Sequence, residues 1–407
     1  MSDRPLLEIE GLEKRFPLTR SVSEVLAGRP GRAIHAVDGV DLSVAAGETV
    51  GLIGESGSGK TTLGWVVARL HDPSGGTIRF DGDDVTHLRG TELRRWRRNV
   101  QVVFQDPVGS LDPRLKVWQI VSEPFRAQEQ MERQRRRRHR QEARAENRRR
   151  DRQNRSARRG TPPGAELPRL ALPSVPPRLT RRAIRERVRR ALPMVGLPED
   201  CLDQYAHEFS GGGRQRLSLA RALSVDPRLV ILDEPTSALD VAVQAQILNR
   251  LVDLQRERGV AFLLITHNVA AVRYVADRVA VMYLGRLVEV GPVRPVLEHP
   301  IHPYTKALLA AVPEPDPRRR HTRYRIGGDI PTLIDLPPGC RFAPRCPFVI
   351  DRCRAEYPPL REIPGAPGQT VACHRAEEVA DIPPSSLLAV EGPTGAPSGA
   401  ASSPTAC

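Results

Sequence analysis

The chain has 407 residues, enough for two domains or for one large domain with additions. Hydrophobic residues at 40% and charged residues at 27% supply a core and exclude a wholly disordered chain, while aromatics at 4% exclude a site built mainly on aromatic stacking. The net charge is +14, and only four of the 62 basic residues are lysines: Lys14, Lys60, Lys116 and Lys306. Such a charge first points to nucleic acid, although GC-rich coding produces the same arginine bias. The charge is also local. Residues 126–160 hold fifteen arginines against five acids, and the rest of the chain is nearly balanced. No apolar run approaches the roughly 18 residues of a membrane span, and no apolar signal core follows Met1–Pro5. A chain kept in the cytoplasm is therefore expected.

In chain order, Leu6–Glu10 reads as a short strand. Gly47–Gly54 is a turn running into an apolar strand, then a Gly-rich loop and a helix from Lys60. Val100–Phe104, Leu229–Leu232 and Val260–Ile265 are short apolar runs bounded by turn or charged residues, as in strands buried on both faces. Helical patterns lie between them at Arg214–Ser224 and Val241–Arg258. The alternation predicts an α/β fold with a mostly parallel sheet. Residues 127–180 break the pattern with an Arg/Gln/Glu-rich run and then six prolines over 161–180. A basic, Pro-rich insertion is expected there, disordered or partly helical. Arg181–Leu192 regains a helical stripe through Ile184, Val188 and Leu192. Residues 377–407 are expected to be a disordered tail.

Three segments carry chemistry. Gly54-Glu-Ser-Gly-Ser-Gly-Lys-Thr-Thr62 fits G-x-x-x-x-G-K-[ST], in which glycines let backbone N–H groups face phosphate at a helix N-terminus. Lys60 is expected on the β/γ-phosphates and the Thr61 hydroxyl on Mg²⁺. Leu229–Asp233 is an apolar strand delivering two carboxylates, Asp233 for the Mg²⁺ shell and Glu234 to orient or polarise water; an acid pair after a strand also serves as a helix cap. Ser210-Gly211-Gly212 opens a helix and forms a second anion site, or simply a helix start. Gln105 and His267 follow apolar strands, where sheet edges deliver side chains.

Together these residues resemble the ATP-binding subunit of an ABC transporter over residues 5–126 and 181–295, in the family's motif order. The resemblance implies a P-loop ATPase domain with a helical subdomain over residues 1–295. Gly54, Ser56, Gly57, Gly59, Lys60, Thr61 and Thr62 match the Walker A loop. Gln105 matches the Q-loop glutamine, Ser210, Gly211 and Gly212 the signature, and Asp233 and Glu234 Walker B and the catalytic glutamate. Asp240 matches the D-loop and His267 the switch histidine; Phe16 is a candidate to stack on adenine. By the resemblance Thr61, Gln105 and Asp233 hold magnesium, and Glu234, His267 and Gln105 are catalytic. Two departures stand out: Gly213 replaces the signature glutamine, with reduced activity at most expected, and 127–180 interrupts the helical subdomain, where it could meet anionic lipid headgroups.

His302-Pro-Tyr-Thr305 and Gly109–Arg114 are similar to segments of ATPases that power oligopeptide, dipeptide and nickel importers. This marks 296–376 as a small C-terminal extension. Cys340, Cys346, Cys353 and Cys373 follow, a set suited to an iron–sulfur cluster or zinc, with metal-free or disulfide-bonded cysteines as the further alternative; the resemblance favours a four-iron four-sulfur cluster, and His374 is read as a bystander. The implied cofactors are ATP and Mg²⁺. The implied partners are a second, related ABC ATPase subunit, two transmembrane permease subunits and an extracytoplasmic substrate-binding protein, at the cytoplasmic face of the inner membrane. Peptide import is the expected function, with nickel or another small solute as the alternative cargo. The competing class is a soluble ABC ATPase acting on nucleic acid or ribosomes; such proteins usually carry two cassettes, so a nucleic-acid partner is not expected.

Overall fold

The structure, a computed structural model, describes residues 4–19, 31–157, 168–172, 174, 178–237, 239–311, 332–334 and 336–383. Its centre is an eight-stranded sheet in the order β11-β12-β10-β9-β3-β8-β7-β6. β3 (Thr49–Ile53), β6 (Val100–Val103), β7 (Leu229–Asp233), β8 (Ala261–Ile265) and β9 (Arg278–Tyr283) run parallel. β10 (Arg286–Pro292), β11 (Arg361–Ile363) and β12 (Ala366–Val371) extend it antiparallel. A second, four-stranded sheet has the order β2-β1-β4-β5, built on β1 (Leu7–Pro17), β2 (Ala33–Val44), β4 (Gly75–Phe80) and β5 (Asp83–Asp84). The α/β class expected from the strand–helix alternation is the one observed.

The continuous apolar runs have a direct cause. Along β7 and β8, Leu229, Ile231, Ala261, Leu263 and Ile265 enter the core shared with the small sheet. Their alternates Val230, Leu232, Phe262 and Leu264 enter the core under the helices on the other face. Both faces are covered, so both phases of the period-2 pattern are apolar. The parallel strands then deliver their C-terminal ends, and the residues just beyond, to one edge.

The insertion expected over 127–180 to be disordered or partly helical is helical in its first part. A single helix runs from Val117 to Ala157. Residues 127–157 contain neither Gly nor Pro and are rich in Arg, Gln, Glu and Ala, all good helix formers. Glu132–Arg136, Arg138–Glu142 and Glu146–Arg150 pair one turn apart. Residues downstream double back along this helix: Arg169 pairs with Asp151, Leu170 N–H donates to Asn147, and Leu179 N–H donates to Glu129. Residues 158–167, 173 and 175–177 of the insertion lie outside the described residues, as does 384–407 of the expected tail. Within that tail, Ala376–Ala380 forms a short helix.

The C-terminal segment is stitched onto the main sheet at Glu289, whose side chain is fully buried. Its carboxylate accepts from Ile301 N–H at 2.8 Å, His302 N–H at 3.0 Å and Gln369 Nε2 at 2.6 Å. Burial pushes its pKa up, and these donors work against that shift. Glu289→Ala strands three buried donors, so a loss of about 3 kcal/mol or more is expected. Glu289→Gln keeps one acceptor oxygen and should lose less. Thermal melts of the two variants check the ranking.

Candidate functional site

β3 ends at Ile53, and the chain turns through Gly54–Gly59 into the helix Lys60–Val67. Two glycines are sterically required. Gly54 has φ +153° and a Cβ there would lie 2.1 Å from the Met282 carbonyl oxygen; Gly59 has φ +102° and its Cβ would lie 2.1 Å from that of Ala36. Ser56 and Gly57 form the exposed crown of the loop, and Thr62 is partly exposed in the helix. Lys60 is buried and folds back into the loop, donating to Gly54 O at 2.9 Å, Glu55 O at 2.7 Å and Ser58 Oγ at 3.3 Å. Burial pulls its pKa below the ordinary lysine value, against the pull of the Glu234, Asp233 and Glu55 carboxylates.

Thr61 Oγ1 donates to Asp233 Oδ1 at 2.9 Å. Asp233 ends β7 only 1% exposed. Desolvation pushes its pKa up, the Thr61 hydrogen bond and Lys60 oppose this, and the Glu234 charge adds to it. A buried carboxylate beside a hydroxyl and another carboxylate fits a divalent cation, whose charge would offset that desolvation. Glu234 follows with φ +47°, uncommon for a residue with a side chain, and its N–H donates to Ile265 O at 2.8 Å. Its carboxylate takes Gln105 Nε2 at 3.2 Å on one oxygen and lies 3.0 Å from His267 Nδ1 on the other. A carboxylate held between two side chains at a sheet edge can receive a proton from water.

Six predicted residues therefore meet in one site: Lys60, Thr61, Gln105, Asp233, Glu234 and His267. Ser210 and Asp240 use their side-chain oxygens as helix caps, accepting from Gly213 N–H at 3.3 Å and Val243 N–H at 2.9 Å. Gly211 and Gly212 pack against Leu239 and Val243, so the 210–213 turn lies beside the start of the next helix. At Gly213 a Cβ would lie 2.9 Å from the Phe209 ring, so any side chain there forces that ring to move. Phe16 is half-buried on β1, edge-on to His71 at 5.5 Å with Lys14 Nζ 5.0 Å from its ring centre.

Cys340, Cys346, Cys353 and Cys373 line one cavity together with His302, Phe342 and Phe348. Cys340 N–H donates to Cys353 O at 2.7 Å. Burial pushes the Cys340 thiol up to about 11 and those of Cys346 and Cys373 up to about 12. Among the described residues no three His, Cys, Asp or Glu are grouped so as to hold a metal ion. His374 Nε2 lies 3.0 Å from the Glu356 carbonyl.

Sequence reading missed one set of contacts at the phosphate loop. Tyr304 Oη accepts from Glu55 N–H at 2.8 Å, and Arg345 Nη1 lies 3.1 Å from Glu55 Oε2. No spacing signal relates position 55 to 304 or 345; only tertiary packing brings them together.

Comparison with known proteins agrees with this geometry. Residues 37–237 match the family model for ABC transporters, and residues 288–353 that for the oligopeptide/dipeptide transporter C-terminal region. A probable peptide ABC transporter ATP-binding protein of Sinorhizobium fredii is 42% identical over 97% of this chain and 96% of its own. The di/tripeptide transport ATP-binding protein of Pseudomonas aeruginosa is 37% identical over 85% of this chain and 91% of its own. Among solved structures, cbiO1 of Clostridium perfringens, part of an ABC transporter complex, superposes with a TM-score of 0.51 at 26% identity, covering 73% of this chain and 92% of that one. A dimeric ATP-binding cassette in a post-hydrolysis state with ADP and Pi shares the fold, with TM-score 0.51 at 23% identity over 71% of this chain and 99% of that one. The chain belongs to the ABC transporter family, as an ATPase subunit of its oligopeptide/dipeptide branch.

Proposed function

We propose that this subunit hydrolyses ATP to drive uptake of di- or oligopeptides across the cytoplasmic membrane. The observation that carries the reading is the meeting of Lys60, Thr61, Gln105, Asp233, Glu234 and His267 at one sheet edge, in a chain that also carries the C-terminal region at 288–353. Lys60 and the loop N–H groups bind the phosphates, and Thr61 and Asp233, with Gln105 beside them, hold Mg²⁺. Glu234 receives the proton of the attacking water, with Gln105 and His267 orienting its carboxylate. Phe16 stacks on adenine. Ser210, Gly211 and Gly212 with Asp240 complete the site of a second, related ATPase subunit, and that subunit completes this one.

Two permeases and an extracytoplasmic binding protein are the further partners, and the subunit sits peripherally at the membrane. Among the described residues no helix is long and apolar enough to cross it. Vesicles containing the permeases, the binding protein and both ATPases should take up labelled di- and tripeptides only with ATP and Mg²⁺. Uptake of nickel and not of peptide would reassign the cargo.

The four cysteines are proposed to hold a four-iron four-sulfur cluster. The support is chemical: four soft donors line one cavity, and thiolates are the ligands that such clusters take. Protein purified without oxygen should be brown with near four iron per chain, and Cys346→Ser should bleach it. A colourless, iron-free preparation overturns the assignment.

A further inference from the structure

The phosphate loop is held from two sides, by its own lysine and by the C-terminal segment. The Gly54–Glu55 peptide offers its carbonyl to Lys60 Nζ at 2.9 Å and its N–H to Tyr304 Oη at 2.8 Å. One peptide plane is thus gripped at both ends. The neighbouring side chain is gripped as well. Arg345 reaches both Glu55 carboxylate oxygens, Nη1 to Oε2 at 3.1 Å and Nη2 to Oε1 at 3.4 Å, and also Tyr283 Oη at 3.2 Å.

The grip is rigid because its members are buried and interlocked. Tyr304 has no exposed surface, and the Arg345 side chain is 6% exposed. The Tyr304 ring packs 4.5 Å from Tyr283 and 5.6 Å from Phe342, centre to centre. Its backbone N–H donates to His302 Nδ1 at 3.0 Å, and His302 N–H is anchored on Glu289. Tyr283 ends β9, the strand next to the one that feeds the loop. A bidentate guanidinium–carboxylate contact in so sheltered a place fixes orientation as well as charge.

We propose that Tyr304 and Arg345 are positioning residues of the nucleotide site: the C-terminal segment holds Glu55 so that the phosphate loop is pre-shaped for ATP. The loop otherwise has to order itself on binding, and that ordering cost is subtracted from affinity. The proposal rests on the assignment of 54–62 as the ATP phosphate loop. Lys60→Ala tests that assignment separately, because it removes a phosphate contact and leaves the Tyr304–Glu55 grip intact.

Tyr304→Phe deletes one oxygen and keeps the ring in its packing. ATP binding by the purified subunit should weaken about five- to tenfold, the scale of one lost hydrogen bond. KM for ATP should rise by the same factor, with kcat within twofold and the nucleotide-free melting temperature nearly unchanged. Glu55→Gln and Arg345→Gln should each raise KM, and the double variant should be no worse than the weaker single one, because both act through one contact. Additive losses in this cycle overturn the Arg345 assignment. Unchanged ATP affinity in Tyr304→Phe overturns the Tyr304 assignment, and so does a fall in kcat and melting temperature without a change in KM.

Discussion

Glu234→Gln should lower the ATP turnover number by about 10²–10⁴-fold while ATP binding survives. The replacement has the same size and can still meet Gln105 and His267, which lie 3.2 and 3.0 Å from the carboxylate oxygens. What it loses is the capacity to take a proton from water. The phosphate contacts are assigned to Lys60 and the loop, so affinity should change little. Single-turnover hydrolysis and equilibrium binding of ATP, measured on the same preparation, separate the two effects. Wild-type hydrolysis by this variant would remove Glu234 from its proposed role. His267→Ala should cost less, since it removes an orienting neighbour and leaves the carboxylate.

Lys60→Ala should produce the opposite division, with ATP affinity falling about 10- to 100-fold, the worth of a charge-assisted contact to phosphate. Burial lowers the lysine's pKa, which marks the buried ammonium as a cost to the folded state. The sign follows from linkage: a base with a depressed folded pKa binds fewer protons when folded, so folding becomes less favourable as pH falls through the window between the unfolded and folded values. Removing Lys60 relieves that cost but also removes its three hydrogen bonds. The nucleotide-free melting temperature should therefore move little, while the upward shift given by a fixed ATP concentration shrinks. The depressed pKa also has a reading in the wild type. As pH rises, Lys60 loses its proton below the usual lysine value of about 10.4. ATP affinity should begin to fall at a correspondingly lower pH. Melting curves with and without ATP across pH 7–10.5 check both statements.

Legibility divides along physical lines. The phosphate loop was readable because its glycines, lysine and threonine stand at fixed short spacings in one stretch of chain, although the carbonyls that forbid a side chain at Gly54 and Gly59 come from Met282 and Ala36. The strands were readable because burial on both faces leaves an uninterrupted apolar run. The 127–157 helix was harder to read. Its arginines mark it as charged, and charge alone does not distinguish a helix from a solvated coil; the 132–136, 138–142 and 146–150 pairs decide for helix only once the backbone is wound.

By itself, then, the sequence determined the α/β class, the phosphate loop and the order of the ATP-site motifs, because each is written in residues close together in the chain. It also showed that most of the +14 charge sits in one segment and that the basic residue most tied to the nucleotide site is one of four lysines. Only the tertiary structure decided which side chains share the site. Gln105, Asp233 and His267 come from three different strand ends, and the sheet order alone sets them around Thr61 and Glu234. The tertiary structure also decided that the C-terminal segment reaches the phosphate loop. β12 joins the main sheet beside β10 at Glu289, and Tyr304 and Arg345 reach Glu55 from the helical turns of the same segment. Contacts between residues 249 and 290 positions apart leave no period or spacing in a single sequence, so packing alone specifies them.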